Sequence, residues 1–144
     1  MKTASFGSIS SCTMNPKHLI PTFVWELEQL VEGNEYADLI EEANAYDPDD
    51  ESTGDGYEIL SRLFDALSEA SPPYAYFGAH PSDRAEYGWW LSDSFNEDFD
   101  GLKVDDTSEV PDDYSGEVAH INDHGNVTLY AAHEGKLTEI WALV

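Results

Sequence analysis

Carboxylates are the side chains whose spacing carries chemistry in this chain. Glu35, Asp38, Glu41 and Glu42 follow one another at three- and four-residue steps on a predicted helix. Such steps set side chains in a row about 5–6 Å apart, where like charges cost a few tenths of a kcal/mol per pair. Between Glu26 and Glu58 there are 13 acidic residues and no Lys or Arg to offset them. A second acidic tract, Asp93 to Glu117, holds ten acids and only Lys103. Duplex DNA carries about one charge per 1.7 Å of axis over both strands. A folded surface with carboxylates in rows therefore presents a phosphate-like field to a Lys- and Arg-lined groove. The partner-contacting residues expected on this reading are Glu28, Glu32, Glu35, Asp38, Glu41, Glu42, Asp47, Asp49, Asp50, Glu51 and Asp55 in the first tract. In the second they are Asp98, Asp100, Asp105, Asp106, Asp112 and Asp113.

The segment Asp47–Glu58 has a different chemical reading. With Asp47 as position one, Asp49, Glu51, Thr53, Asp55 and Glu58 fall at positions 3, 5, 7, 9 and 12 of a calcium-binding loop. Ser52 stands where that loop needs glycine, Gly54 replaces its usual apolar residue, and Pro48 is at position two. A solvated acidic loop is the expectation, with no metal and no cofactor. His18, His80, His120, His124 and His133 do not share a spacing that forces convergence on a metal. Cys12 is the only thiol, lies in a polar arm, and has a negative field opposing its thiolate. No nucleophile elbow, phosphate-binding glycine loop or dinucleotide fingerprint is present, so a non-enzymatic role is expected.

The elements that must position these groups follow from periodicity and composition. The 144 residues include six Lys and Arg and 30 Asp and Glu, a formal charge of −24. That excludes direct binding to nucleic acid or an anionic membrane, since no basic cluster offsets phosphate. The 41% apolar and 12% aromatic content excludes a disordered acidic tail. A single domain is expected: a polar arm or short edge strand over 1–14, a helical part over 15–71 and a β part over 74–144. Asn15-Pro16 is a helix start, with Pro21 in the first turn or marking the true start. Phe23, Val24, Leu27, Leu30 and Val31 repeat at helical spacing. Gly33-Asn34 marks a stop and new cap before a second helix carrying Tyr36, Leu39, Ile40 and Ala43. A third helix has Ile59, Leu60, Leu63, Phe64 and Leu67 on one face and ends at Pro72-Pro73.

Beyond residue 73 the pattern turns to strands: Tyr74–Phe77, Tyr87–Leu91, Glu117–Ile121, Val127–Ala131 and Leu137–Leu143. The last three, joined at Asp123–Asn126 and His133–Lys136, form a meander. Residues 92–116 read as an acidic connection. Trp89 and Trp90 must face opposite ways on a strand, and Ile140–Leu143 reads as a strand buried on both sides. The expected fold is α+β, with three N-terminal helices on one face of a four- or five-stranded, mainly antiparallel C-terminal sheet. One cysteine, no apolar run near the ~20 residues of a membrane span and no signal-peptide pattern point to a soluble, cytoplasmic protein.

Several segments carry a resemblance. Phe77-Gly78-Ala79-His80-Pro81, Asp100–Val104, Ser108–Pro111 and His120–Tyr130 with Trp141 resemble small proteins of bacteriophages and other mobile elements, over about residues 77–144. The resemblance implies expression in a bacterial host cytoplasm and a role in phage–host conflict; it assigns no site residue. In charge and size alone the chain resembles acidic DNA-mimic anti-CRISPR and anti-restriction proteins. The resulting expectation is an inhibitor that fills the nucleic-acid groove of a basic host protein. A calcium-binding or structural phage protein using Asp47–Glu58, and an acidic surface serving only solubility, are the alternatives.

Overall fold

The computed structural model describes residues 1–143. Contacts gather into two compact units, Met1–Ser92 and Asp93–Val144. The division falls at Ser92, beyond the change from helical to strand pattern near residue 73.

The first unit opens with strand β1 (Gly7–Ser10) and helix α1 (Pro16–Leu30). The Asn15 side chain accepts the Lys17 amide at 3.0 Å, and Pro16 occupies the first helical position, where its missing N–H costs nothing. Pro21 lies inside the helix, not at its start. Leu19, Ile20, Phe23, Val24, Leu27 and Leu30 form the buried stripe. Helix α2 (Ala37–Ala45) starts later than the sequence suggests, because Tyr36 sits in the left-handed region at φ 58°. That residue, not Asn34, occupies the cap position. Helix α3 (Gly56–Glu69) is capped by Asp55, which accepts the Tyr57 amide at 2.9 Å. It buries Ile59, Leu63, Ala66 and Leu67.

Strands β2 (Ala75–His80) and β3 (Asp83–Leu91) complete the unit as an antiparallel sheet of order β1-β3-β2. Phe77 and Trp89 are cross-strand partners, both buried. The Phe77 ring meets Trp89 at 4.8 Å, Phe64 at 4.9 Å and Phe23 at 5.3 Å, tying the sheet to α1 and α3. The Trp89 indole N–H donates to Leu67 O at 3.3 Å. Trp90 faces the other way, half-buried, its indole N–H on Gly78 O at 2.9 Å. Gly88 is required: a Cβ there would run into the Gly7 carbonyl of β1.

The second unit holds a short helix α4 (Phe95–Asp98) and strands β4 (Leu102–Val104), β5 (Gly116–Ile121), β6 (Val127–His133) and β7 (Lys136–Leu143). Their order is β4-β5-β6-β7. The expected meander β5-β6-β7 is antiparallel, whereas β4 runs parallel to β5. Glu134 and Gly135, with φ of 49° and 79°, make the two-residue turn between β6 and β7. Ala119, Leu129 and Trp141 are cross-strand neighbours, and Phe95 stacks on Phe99 and meets Trp141 at 6.0 Å. Val104, Val118 and Ala132 make a second small cluster with Tyr114 and Tyr130.

The fold is thus α+β, as expected, but not with one sheet. The strands divide into a three-stranded and a mixed four-stranded sheet, and α4 follows β3, so the helices are not all N-terminal. The acidic connection 92–116 contains α4, β4 and a turn of 3-10 helix at Thr107–Glu109. The last strand is buried on one side only. Trp141 is buried while its neighbours Ile140 and Ala142, which alternate to the opposite face, are exposed, and a register slip between Leu129 and Tyr130 leaves Ile140 as a bulge.

Candidate acidic interaction surface

The two acidic tracts fall in different units, so each is a surface in its own right. In the first unit, Glu28 lies on the exposed side of α1, with its Oε1 accepting from Asn44 Nδ2 of α2 at 3.2 Å. Glu32 and Glu35 lie in the turn between the helices. Both reach the Met1 α-ammonium, at 3.4 and 3.1 Å. The hydrogen bond to Glu35 is the main cause of that ammonium's raised pKa, with Glu32 adding to it. Glu42 pairs with Arg62 of α3. Asp38 and Glu41 are exposed on α2 and make no ion pair among the described residues.

The continuous helical row from Glu35 to Glu42 is therefore broken. Glu35 precedes the helix, because Tyr36 turns the backbone left-handed and its hydroxyl is held by Glu69. That bond pushes the Tyr36 pKa up to about 12. Nor is the row uncompensated. The N-terminal ammonium and Arg62, which lie far along the chain, neutralise its two ends.

In the loop after α2, the carboxylates serve the backbone. Asp47 Oδ1 accepts the Asp49 amide at 2.9 Å, and Asp50 Oδ1 accepts the Ser52 amide at 3.0 Å and the Ser52 hydroxyl at 2.6 Å. Those bonds from Ser52 lower the Asp50 pKa. Asp55 caps α3. Thr53 Oγ1 links both ends of the loop, accepting the Asp47 amide at 2.9 Å and donating toward the Asp50 carbonyl at 2.7 Å. Glu51 starts a 3-10 turn, and Asp49 and Glu51 point their charges to solvent. Among the described residues no three of His, Cys, Asp and Glu are placed to hold a metal ion. The loop borders an open groove of about 670 Å³ shared with Pro16, Lys17, Tyr46 and Tyr57.

In the second unit Asp98 accepts from Ser94 Oγ at 2.5 Å, and Asp106 accepts the Ser108 amide at 2.9 Å, capping the 3-10 turn. That amide bond is the chief cause of its lowered pKa, and His120 adds to it. His120 Nε2 lies 3.1 Å from the Asp105 carbonyl oxygen. Asp100, Asp105, Asp112 and Asp113 are exposed. His18, His124 and His133 are exposed too, and His80 packs edge-on against Trp90.

Periodicity alone did not single out Trp25. It is 59% exposed on α1. The available signal was its phase: it lies off the stripe Leu19, Ile20, Phe23, Val24, Leu27. Tyr57 and Met14 are exposed as well, at 75% and 58%. No helix among the described residues is long and apolar enough to cross a membrane. No protein-family model, no curated protein and no solved structure matches the chain.

Proposed function

We propose that the protein is a non-enzymatic inhibitor whose acidic surface occupies the nucleic-acid groove of a basic protein, such as a restriction enzyme, CRISPR effector or repair enzyme of a bacterial host. The observation that carries this reading is the set of exposed carboxylates with no cationic partner among the described residues, Asp38, Glu41, Asp49 and Glu51, on neighbouring segments of the first unit. Ordinary solubility needs a net charge of magnitude about 2–8 in a small domain. Here it is −24. The surplus repels itself and is retained, which favours a role in recognition. Inhibition is competition: a groove that holds this surface cannot hold DNA.

Binding of this kind is steered by charge and weakened by salt. The test is capture of proteins from bacterial lysate by the immobilised chain at low and high salt, compared with the variant Asp38→Lys, Glu41→Lys, Asp49→Lys, Glu51→Lys. The expected result is capture of nucleic-acid-binding proteins at low salt, lost at high salt and lost in the variant. Glu35 and Glu42 are left out because their reversal would expel Met1 and Arg62 from their pairs. An identical captured set with the variant would remove this face from the contact.

A further inference from the structure

Two hollows in the first unit meet along α1. The smaller, of about 310 Å³, lies between α1 and the end of α2, over Ile20, Val24 and Ala43, with Pro21 and Tyr46 at its sides. The larger is the open groove of about 670 Å³ beside the loop after α2, with Tyr57 on its rim. Lys17, Tyr46 and Pro48 line both, so the two form one trough. Its wall depends on a close fit: Tyr46 caps the end of α2, and its hydroxyl rests where a Cβ on Gly56 would collide with it. Tyr57 is 75% exposed, so the fold leaves that aromatic surface uncovered.

The two ends of the trough differ in chemistry. The narrow end is mostly apolar. The wide end sets the carboxylates of Asp47, Asp50, Glu51 and Asp55 against the single ammonium of Lys17. Amides of Asp49, Ser52 and Tyr57 hold three of those carboxylates in place but bring no cation. Neither the four acids nor Lys17 enters an ion pair among the described residues. An occupant must therefore offer positive charge to one end and an apolar side chain to the other. A second copy of the chain is a poor fit, since each brings −24. A Lys- or Arg-bearing polypeptide segment meets both needs. Such side chains lay apolar stems on tyrosine and proline surfaces while their charged heads reach carboxylates.

The geometry points to this trough as the docking site for a basic segment of the partner protein. An apolar side chain of that segment sits over Ile20, Val24 and Ala43, and its Lys or Arg side chains lie among Asp47, Asp50, Glu51 and Asp55. This rests on the reading of the partner as a cationic protein, and it names where on this chain a projecting piece of that partner is received.

The experiment uses the full chain and two labelled peptides of equal charge and length at low salt, one alternating arginine with leucine and the other arginine with serine, read by peptide anisotropy. Wild type is expected to bind the leucine peptide about tenfold more tightly, the factor for seating one leucine side chain. Tyr57→Ala removes the uncovered ring and Gly56→Ala displaces Tyr46, and neither alters charge. Both variants are expected to bind the two peptides alike, with the salt dependence of wild type. Because Tyr57 is exposed, Tyr57→Ala should keep the wild-type melting temperature. Amide chemical shifts of wild type on adding the leucine peptide should change within 17–24, 43–48 and 54–57. Equal binding of the two peptides by wild type, a leucine preference kept in either variant, or shift changes gathered elsewhere would overturn the trough while leaving the acidic-surface reading standing. Binding of neither peptide by wild type would overturn both.

Discussion

Replacing Phe77 by alanine tests the packing that holds the acidic helices of the first unit in place. Phe77 is 4% exposed and touches one ring from each of α1, α3 and β3. Truncating a buried phenylalanine to alanine costs about 3–5 kcal/mol through lost transfer energy and the cavity left behind. Each well-placed aromatic pair adds about 0.5–1.5 kcal/mol beyond area, so three neighbours put the loss in the upper half of that range, near 4 kcal/mol. With a urea dependence of about 2 kcal/mol per molar, the midpoint falls by about 2 M. The assay is urea unfolding of the full chain, followed by far-UV dichroism and by tryptophan emission, with Ile140→Ala as the control. Ile140 is a bulge residue, 40% exposed, and its truncation should stay within about 0.5 kcal/mol. A loss below about 1.5 kcal/mol for Phe77→Ala would show that the Phe23–Phe64–Phe77–Trp89 cluster does not hold α1 and α3 to the sheet.

Other outcomes follow from the caps and ion pairs. Asp55→Ala removes the acceptor for the Tyr57 amide at the start of α3 and should cost about 1 kcal/mol in the same unfolding assay. The Met1 ammonium and the Tyr36 hydroxyl both have raised pKa values, the first held chiefly by Glu35 and the second, at about 12, by Glu69. Their contributions are complete below the unfolded values and are lost as pH rises, from about 8 upward for the amine and between about 10 and 12 for the phenol. Stability measured from pH 7 to 12 should therefore decline, and Tyr36→Phe should flatten its upper part. Asp50 and Asp106 are lowered, so their contributions hold above the usual carboxylate range and disappear as pH falls through it. Calorimetric titration with calcium should give a flat trace, because Asp47, Asp50 and Asp55 already accept backbone amides; a saturable heat would reinstate a metal site at the loop.

The helices were legible where local rules decide. The Asn15-Pro16 cap, the apolar stripe of α3 and the β5-β6-β7 meander with its two turns could all be read from neighbours in the chain. That Trp89 and Trp90 face opposite ways was legible too, but not which of them enters the core. What escaped depends on distant pairing. Nothing near residues 7–10 announces β3 as their partner, and nothing near 102–104 announces a parallel pairing with β5. At four residues, α4 is too short to show a period. The acidic site was legible in composition but not in state. The left-handed Tyr36 takes Glu35 off the helix, and Met1 and Arg62 neutralise the row's ends. Of the loop acids that resembled calcium ligands, Asp47 and Asp55 accept the amides of Asp49 and Tyr57, while Asp49 and Glu51 face solvent.

Release of DNA from a groove bears most directly on the proposed inhibition. A labelled duplex bound to a captured basic protein is titrated with the wild-type chain, and with the variant reversed at Asp38, Glu41, Asp49 and Glu51, while anisotropy follows the DNA. Wild type should displace the duplex at low salt, with an apparent affinity that falls steeply as salt rises, and the variant should leave the duplex bound. Anisotropy unchanged by wild type, or displacement by the variant at equal concentration, would contradict the claim that these carboxylates stand in for phosphates.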